Sequence, residues 1–205
     1  MRESIGIHAS KTALVMMIFT LAGTALLVYV FSITTLPIAE SEAAARLALF
    51  SQILPANDYD NNLLNTTINS APNSLLGTRK PSSIYVAKQN GKFVAVVLEA
   101  IAHDGYSGDI KLLIAIRADG SVGGVRVIAH RETPGLGDYI DITHSQWIEQ
   151  FKAKSLHQPS LERWRVRKDD GEFDYVTGAT ITPRAVVKAV RQALQFFEQN
   201  KGAFQ

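Results

Sequence analysis

The sequence predicts an α+β fold: a twisted antiparallel sheet built from hairpins, with helices packed on it, preceded by one transmembrane helix. Three observations in the 205 residues lead to this prediction. The chain begins with a long uncharged apolar run, continues with paired β-prone segments around tight turns, and ends in an amphipathic pattern of helical period. Hairpin-paired strands and helices that bury one face combine in folds of this class.

The uncharged run covers residues 12–39, which exceeds the ~20 residues that a helix needs to cross the hydrocarbon core of a bilayer. A cleaved signal peptide is the alternative, but its apolar core spans only about 7–15 residues and ends at small residues. Bulky Tyr29 and Phe31 stand at that place here. We therefore expect an uncleaved transmembrane helix at 12–36, after a cytoplasmic tail at 1–11.

Charges on either side of the apolar run predict its orientation. Arg2 and Lys11 precede it, whereas Glu40 and Glu42 follow it. Because basic residues favour the cytoplasmic side, the amino terminus is expected in the cytoplasm and the remainder of the chain in the periplasm. The expected location is the bacterial inner membrane, with the lipid bilayer as one partner.

The composition excludes several classes of site. The chain has no cysteine, which excludes disulfides, thiolate-held iron–sulfur clusters, Cys-rich zinc sites and haem attached through C-x-x-C-H. Its net charge is only +2, and the single basic patch is short (163–168), so no nucleic-acid partner is expected. The histidines lack the spacing of a metal-binding motif, and no metal site is expected.

Residues 37–82 are predicted to form a periplasmic helix and an irregular connection. Apolar residues recur at a 3–4 spacing over 39–54, and this helix is expected to continue from the membrane span and to end at Pro55. Residues 56–82 are rich in Asn, Ser, Thr and Pro, which is typical of loops.

Residues 83–205 are predicted to form the folded domain, beginning with two hairpins. Asn90-Gly91 and Asp119-Gly120 each separate two β-prone runs, which indicates tight hairpin turns and four strands. Residues 113–116 show little alternation, which favours a central strand covered on both faces.

The elements after these strands are predicted from shorter patterns. A glycine-rich loop at 130–138 precedes an expected helix at 142–154, in which Trp147 faces the core. A third, shorter hairpin is predicted around Asp170-Gly171. The last helix is expected from Pro183 to about Asn200, because valines and leucines there form one apolar stripe.

Three threonines stand just before this last helix, in DYVTGATITPR (174–184). Thr182 as N-cap and Pro183 as first helical residue account for one of them, and residue types alone favour an ordinary turn for the others. However, a helix start presents free N–H groups and a positive dipole end that suit a phosphate. Thr180 places a hydroxyl before those donors, so a phosphate could be bound there or esterified to it.

The stretch DYVTGATIT resembles the flavinylation signal of proteins with an FMN-binding domain. In that family a flavin transferase joins FMN through its phosphate to the last Thr or Ser of an S/T-G-A-T/S core. The core is intact here as Thr177, Gly178, Ala179 and Thr180. The resemblance therefore implies covalent FMN on Thr180, with Asp174 as the upstream acidic residue.

Longer stretches are similar to the G subunit of the Rnf-type (Rsx) ion-translocating oxidoreductase complexes. They are HDGYSGDIKLLIAI (103–116), GVRVIAHRETPGLGD (124–138) and TGATITPRAVVKAV (177–190), and the resemblance covers nearly the whole chain. The C subunit of the sodium-translocating NADH:quinone reductase shares the flavin domain but is usually longer. The resemblance implies an electron-carrier subunit of a membrane translocase without a complete activity of its own. Its partners would be the other proteins of the complex and, for maturation, the flavin transferase.

The resemblance also places a loop beside the flavin, with candidate contacts at Glu132, Thr133, Gly135, Leu136 and Gly137. Around the attachment point, the candidate cofactor contacts are Thr177, Gly178, Ala179 and Thr182. Tyr106 could stack on the ring, although a structural role in capping the sheet is favoured. Arg184, with Lys168 as second choice, could neutralise the phosphodiester. Three alternatives stay open: a membrane-anchored assembly or binding subunit without covalent flavin, a protein like the C subunit of a sodium-translocating quinone reductase, and an enzyme that holds FMN noncovalently.

Overall fold

The computed structural model describes residues 2–204 and contains two compact units that divide between Arg46 and Leu47. A long helix, α1 (Arg2–Ile53), makes up the first unit and ends in the second. The described large apolar side chains of the first unit are exposed, as expected of a helix that faces lipid. Among the described residues, α1 is the one helix that is long and apolar enough to cross a membrane by length and composition.

Pro37 and Pro55 are the two positions where the predicted extent of α1 can be compared with the structure. Pro37 lies inside the helix, so the predicted continuation from the apolar run into the following segment is confirmed. The helix ends at Ile53, two residues before Pro55. This end was expected, because a proline disfavours helical backbone at the residue that precedes it.

Five antiparallel strands form one sheet in chain order: β1 (Thr67–Ser70), β2 (Ser82–Gln89), β3 (Lys92–Ala102), β4 (Ile110–Arg117) and β5 (Val122–Ala129). The two predicted hairpins are confirmed. Asn90 and Gly91 both have positive φ, 51° and 73°, which matches the backbone twist of the strands that they join.

One strand was not predicted. β1 pairs with β2 at the sheet edge and lies in the segment expected to be irregular. Its sequence TINS has a single large apolar residue, Ile68, and its side chains are mostly exposed. A short, exposed edge strand of this kind shows no alternation of apolar and polar residues. It joins the sheet through backbone hydrogen bonds, and its side chains do not pack in the core.

Both faces of the sheet are covered, as predicted for residues 113–116. On one face α2 (Ile181–Asn200) packs its apolar stripe against the strands, with Leu112 and Ile114 in that core. On the other face Leu113 packs in a cluster with Phe50 at the end of α1.

Two predicted elements between β5 and α2 are wrong. The helix expected at 142–154 is a six-residue 3-10 helix, Gln146–Phe151. Its start is late because Asp141 accepts from the N–H of Thr143 in a local turn, and Ser145 then caps the short helix by accepting from the N–H of Trp147. The expected hairpin around Asp170-Gly171 is absent from the described chain: short 3-10 helices at Leu161–Arg163 and Arg167–Asp169 fill this region. The alternating pattern there reflects buried side chains in an irregular segment, Trp164 above all.

Candidate functional site

A cavity of about 310 Å³ opens where three segments meet at the amino-terminal end of α2. The β3–β4 loop contributes one residue, the loop after β5 contributes four, and the residues that begin α2 contribute five. The lining residues are Tyr106, Glu132, Thr133, Leu136, Gly137, Gly178, Ala179, Thr180, Ile181 and Thr182. Nine of them were predicted as cofactor contacts from the sequence, and Ile181 was not.

Thr180, not Thr182, occupies the N-cap position of α2, so the predicted capping role of Thr182 and Pro183 is wrong. The helix starts earlier than expected, at Ile181. The Thr180 side chain makes no capping hydrogen bond and is 9% exposed, on the wall of the cavity. Its hydroxyl is therefore close to the helix start and is not used to hold the helix.

The Thr182 hydroxyl does not cap the helix because it is hydrogen-bonded to another side chain. It donates a hydrogen bond to Oε2 of Glu132, a carboxylate that is only 4% exposed. The other oxygen, Oε1, accepts from the backbone N–H of Ser107 at 3.0 Å. The Glu132 side chain thus joins the β3–β4 loop, the loop after β5 and the first turn of α2, because a buried polar group needs hydrogen-bond partners.

The turn before α2 has the shape that was predicted from Thr177-Gly178. The N–H of Ala179 donates to the carbonyl of Val176 at 3.1 Å, and Gly178 has φ +92°. Positive φ at this turn position favours glycine because a side chain would be strained there. Thr177 itself is exposed and does not line the cavity.

Side chains from residues 139–150 hold this turn in place. The Tyr139 hydroxyl accepts from the N–H of Val176 at 3.3 Å and donates to the carbonyl of Ala179 at 3.5 Å. The Trp147 Nε1–H donates to the carbonyl of Asp174 at 2.8 Å, and the N–H of Asp174 donates to Gln150. Burial raises the pKa of Tyr139 to about 12, so its hydroxyl stays protonated and able to donate.

Sequence reasoning missed the supporting role of Tyr139 and Gln150. Trp147 was assigned to the core, and it does pack there half-buried, edge-on to Tyr139, while its indole N–H serves the turn. A tyrosine in the stretch GDYIDIT was the available signal, but its partner lies 37 residues further along the chain. Contacts at such separation are not visible in a local pattern.

Three predicted site residues lie outside the cavity lining: Thr177, Gly135 and Arg184. Arg184 holds Asp169 in a bidentate pair, with both N···O distances 2.6 Å, and this pair lowers the pKa of Asp169. Lys168 is exposed and does not line the cavity either. Because the lining contains no lysine or arginine, the α2 dipole and its free N–H groups are the positive element that the described residues supply there.

Tyr106 is 68% exposed on the cavity rim, which does not fit the expected role of capping the sheet.

Asp174 pairs with Arg167 at 2.8 Å, and its side chain is mostly exposed. His130 accepts from the N–H of Glu132. Among the described side chains, no three His, Asp or Glu residues are grouped to hold a metal ion.

Comparison with known proteins identifies relatives of the whole chain. The chain is 45% identical over 194 residues to the G subunit of the ion-translocating oxidoreductase complex of Vibrio atlanticus strain LGP32, covering 94% of this chain and 92% of that protein. It is 44% identical over 191 residues to the protein of that name from Pseudomonas aeruginosa strain UCBPP-PA14, covering 93% and 89%.

The chain belongs to the RnfG family, the G subunits of Rnf ion-translocating oxidoreductase complexes. Residues 1–53 match the RnfG N-terminal region, and residues 105–195 match the FMN-binding domain. Every residue that lines the cavity falls within the second match.

The cavity of this RnfG family member fits part of an FMN. Its volume lies near the lower end of small-molecule sites, ~300–1,000 Å³, and apolar Leu136 and Ile181 accompany the hydroxyls of the threonines. The α2 start with Thr180 would hold the phosphate, and the exposed Tyr106 and Leu136 offer flat or apolar contact to a ring at the open side.

Proposed function

We propose that this chain is the electron-carrier subunit of an Rnf-type ion-translocating complex and carries one FMN joined by a phosphoester bond to Thr180. Family membership supports the electron-transport role, and the FMN-binding domain supports the cofactor. The covalent bond to Thr180 goes beyond family membership and is proposed from the geometry of the cavity.

One observation carries the choice of Thr180. Among the three threonines of the motif, Thr182 is committed to Glu132 and Thr177 lies off the cavity. Thr180 alone of the three lines the cavity with a hydroxyl that neither caps the helix nor pairs with that carboxylate. A phosphate esterified there would lie at the positive end of α2, which favours its remaining negative charge.

The protein's part in this function is binding and positioning. FMN, when bound, supplies the redox chemistry, in one-electron or two-electron steps. The Tyr139 and Trp147 contacts fix the turn that presents Thr180, and the Glu132 hydrogen bonds fix the cavity wall against α2. A covalent tether suits an exported carrier, because a lost flavin could not easily be replaced outside the cytoplasm.

The proposed arrangement in the cell follows the charges around the apolar run. Residues 1–11 form a cytoplasmic tail, 12–36 cross the inner membrane, 37–82 lead through the periplasm, and 83–205 form the FMN-binding domain. The α1 surface and the family name support a membrane-bound subunit. The proposed partners are the other Rnf proteins, the bilayer and a flavin transferase.

Intact mass of the full chain, coexpressed with a flavin transferase and exported, tests the proposal. We expect the mass of one added FMN moiety and a fluorescent band that survives denaturation in SDS. Thr180→Val, which keeps the shape of the side chain but removes the hydroxyl, should abolish both signals, and Thr180→Ser should retain them. An unmodified mass in the wild type would sink the covalent proposal, and would favour an assembly subunit or a noncovalent flavin.

A further inference from the structure

A second cavity, of about 260 Å³, lies between α2 and residues 164–169. It shares no lining residue with the cavity that contains Thr180. Its apolar part consists of the buried Trp164, Val166 and Val187. Its polar part is strongly cationic, and nothing in the proposed flavin function uses it.

Four basic side chains and one acidic side chain line this cavity: Arg165, Arg184, Lys188, Arg191 and Asp169. Two of the cations are neutralised, since Arg184 pairs with Asp169 at 2.6 Å and Lys188 pairs with Asp104 at 2.7 Å. Among the side chains that the structure describes, no acidic one forms an ion pair with Arg165 or Arg191. The cavity is therefore lined by two arginines without a directly paired carboxylate among the described side chains.

The side chain of Arg191 gives further evidence that this cavity binds a ligand. Its Nε atom is buried and has no hydrogen-bond partner, although Arg191 stands on a helix face beside the apolar floor of the cavity. Buried polar atoms in folded proteins are almost always paired, and an exception calls for an explanation. A guanidinium presents its N–H groups as a fork that matches phosphate oxygens.

We propose that this cavity binds a phosphate group, held by Arg165 and Arg191. Two arginines without a directly paired carboxylate match a phosphate better than a single carboxylate, and the volume suits a headgroup-sized anion rather than a large ring system. The phosphate belongs either to an anionic lipid headgroup or to a small soluble phosphate. This site is independent of the flavin and would exist in a chain that carries none.

Calorimetric titration of the full chain in maltoside micelles, which contain no phosphate, tests the site. The two probes are inorganic phosphate and short-chain phosphatidylglycerol, each at constant ionic strength. We expect saturable binding of at least one probe, weakened about tenfold or more in Arg191→Gln and in Arg165→Gln. Arg163→Gln is the matched control, because it removes the same charge from an exposed side chain that pairs with Glu172 outside the cavity.

The two probes distinguish the sources of the phosphate. Tighter binding of phosphatidylglycerol supports a lipid headgroup, and equal or tighter binding of inorganic phosphate supports a soluble anion. Binding that is the same in wild type, Arg191→Gln and Arg165→Gln would overturn the proposal, as would the absence of binding by both probes. If Arg191→Gln fails to fold by circular dichroism, the exposed Arg165 still provides the test.

Discussion

The Tyr139 hydroxyl acts at the scale of a single residue, because it is bonded to both ends of the turn that precedes Thr180. It accepts from Val176 and donates to Ala179, and the ring is half-buried. Without this oxygen, the Val176 N–H has no partner from the 139–150 segment. The geometry of the turn before Thr180 therefore depends on a side chain far from it in sequence.

We expect Tyr139→Phe to loosen the turn while leaving the fold intact. The loss of a hydrogen bond of this kind costs about 1 kcal/mol, so the change in stability should be small. Amide hydrogen exchange at Val176 should become faster in the variant. Tyr106→Phe is the matched control, because the Tyr106 ring is mostly exposed on the cavity rim. Unchanged exchange at Val176 in Tyr139→Phe would show that the turn is held by other contacts.

His103 is the second case at residue scale, and it predicts a pH dependence of stability. Its Nδ1 lies 2.8 Å from Asp109 Oδ1 and its Nε2 lies 2.8 Å from the carbonyl oxygen of Gly77. The Asp109 hydrogen bond, with that of Gly77, raises the pKa of His103 above 6.5, and the same pair lowers the pKa of Asp109 below 3.8. Protonated His103 is thus favoured in the folded state.

The contribution of His103 should be complete below pH 6.5 and should disappear as the pH rises through its raised folded-state pKa. Because both side chains are substantially exposed, it should not exceed about 1 kcal/mol. Thermal unfolding of wild type and His103→Gln between about pH 6 and pH 8.5 measures it. The difference between the two proteins should shrink with rising pH, and Asp109→Asn should remove most of it. A constant difference would contradict the assignment.

At the scale of elements, the end of α1 approaches β5 more closely than a side chain permits. A Cβ on Gly124 would lie 2.8 Å from the Cα of Ile53 and 3.0 Å from its carbonyl oxygen. Backbone atoms cannot move aside as the tip of a flexible side chain can. Glycine in a strand often marks such an approach of another backbone.

Gly124→Ala should therefore push the end of α1 away from the sheet and destabilise the domain by about 1–3 kcal/mol. Thermal unfolding of the variant should show a clear decrease in melting temperature. Gly202→Ala is the control, because a Cβ at Gly202 meets nothing within 4 Å. If both variants unfold at the wild-type temperature, the contact between α1 and β5 is looser than described.

The elements that sequence predicted correctly are those whose signal is local. Asn90-Gly91 needs positive φ at both turn positions, and the residues themselves provide it. The length of the helix at Gln146–Phe151 was overestimated, because the apolar spacing there also serves ring packing: Trp147 packs edge-on to Phe151, which stacks on Trp164. Such packing depends on partners elsewhere in the chain, so local periodicity alone could not give its form.

The candidate site divides in the same way. The glycine in Thr177-Gly178 was predictable, since the turn follows from adjacent residues, whereas the start of α2 was expected at Pro183 and lies at Ile181. The roles of Thr182 and Glu132 were not predictable, because their hydrogen bond joins residues 50 positions apart. Family resemblance identified the residues of the loop, and the structure adds which of them face the same cavity.

At the scale of the whole molecule, the proposed function requires the flavin domain and the amino terminus to lie on opposite sides of the inner membrane. A chain without cysteine is well suited to test this, because a single introduced thiol is the only reactive one. Lys152 is exposed in the second unit, and Ser10 is exposed in the first, before the proposed span. Each can be replaced by cysteine without disturbing a buried side chain.

In intact spheroplasts, a membrane-impermeant maleimide should label Lys152→Cys, because residues beyond the span are proposed to be periplasmic. Ser10→Cys should be labelled only after lysis, since Arg2 and Lys11 favour the cytoplasmic side for that end of the chain. Both variants should react fully in detergent, which controls for thiol accessibility. The reverse pattern would place the flavin domain in the cytoplasm, and it would remove the argument that a covalent tether compensates for the lack of free flavin outside.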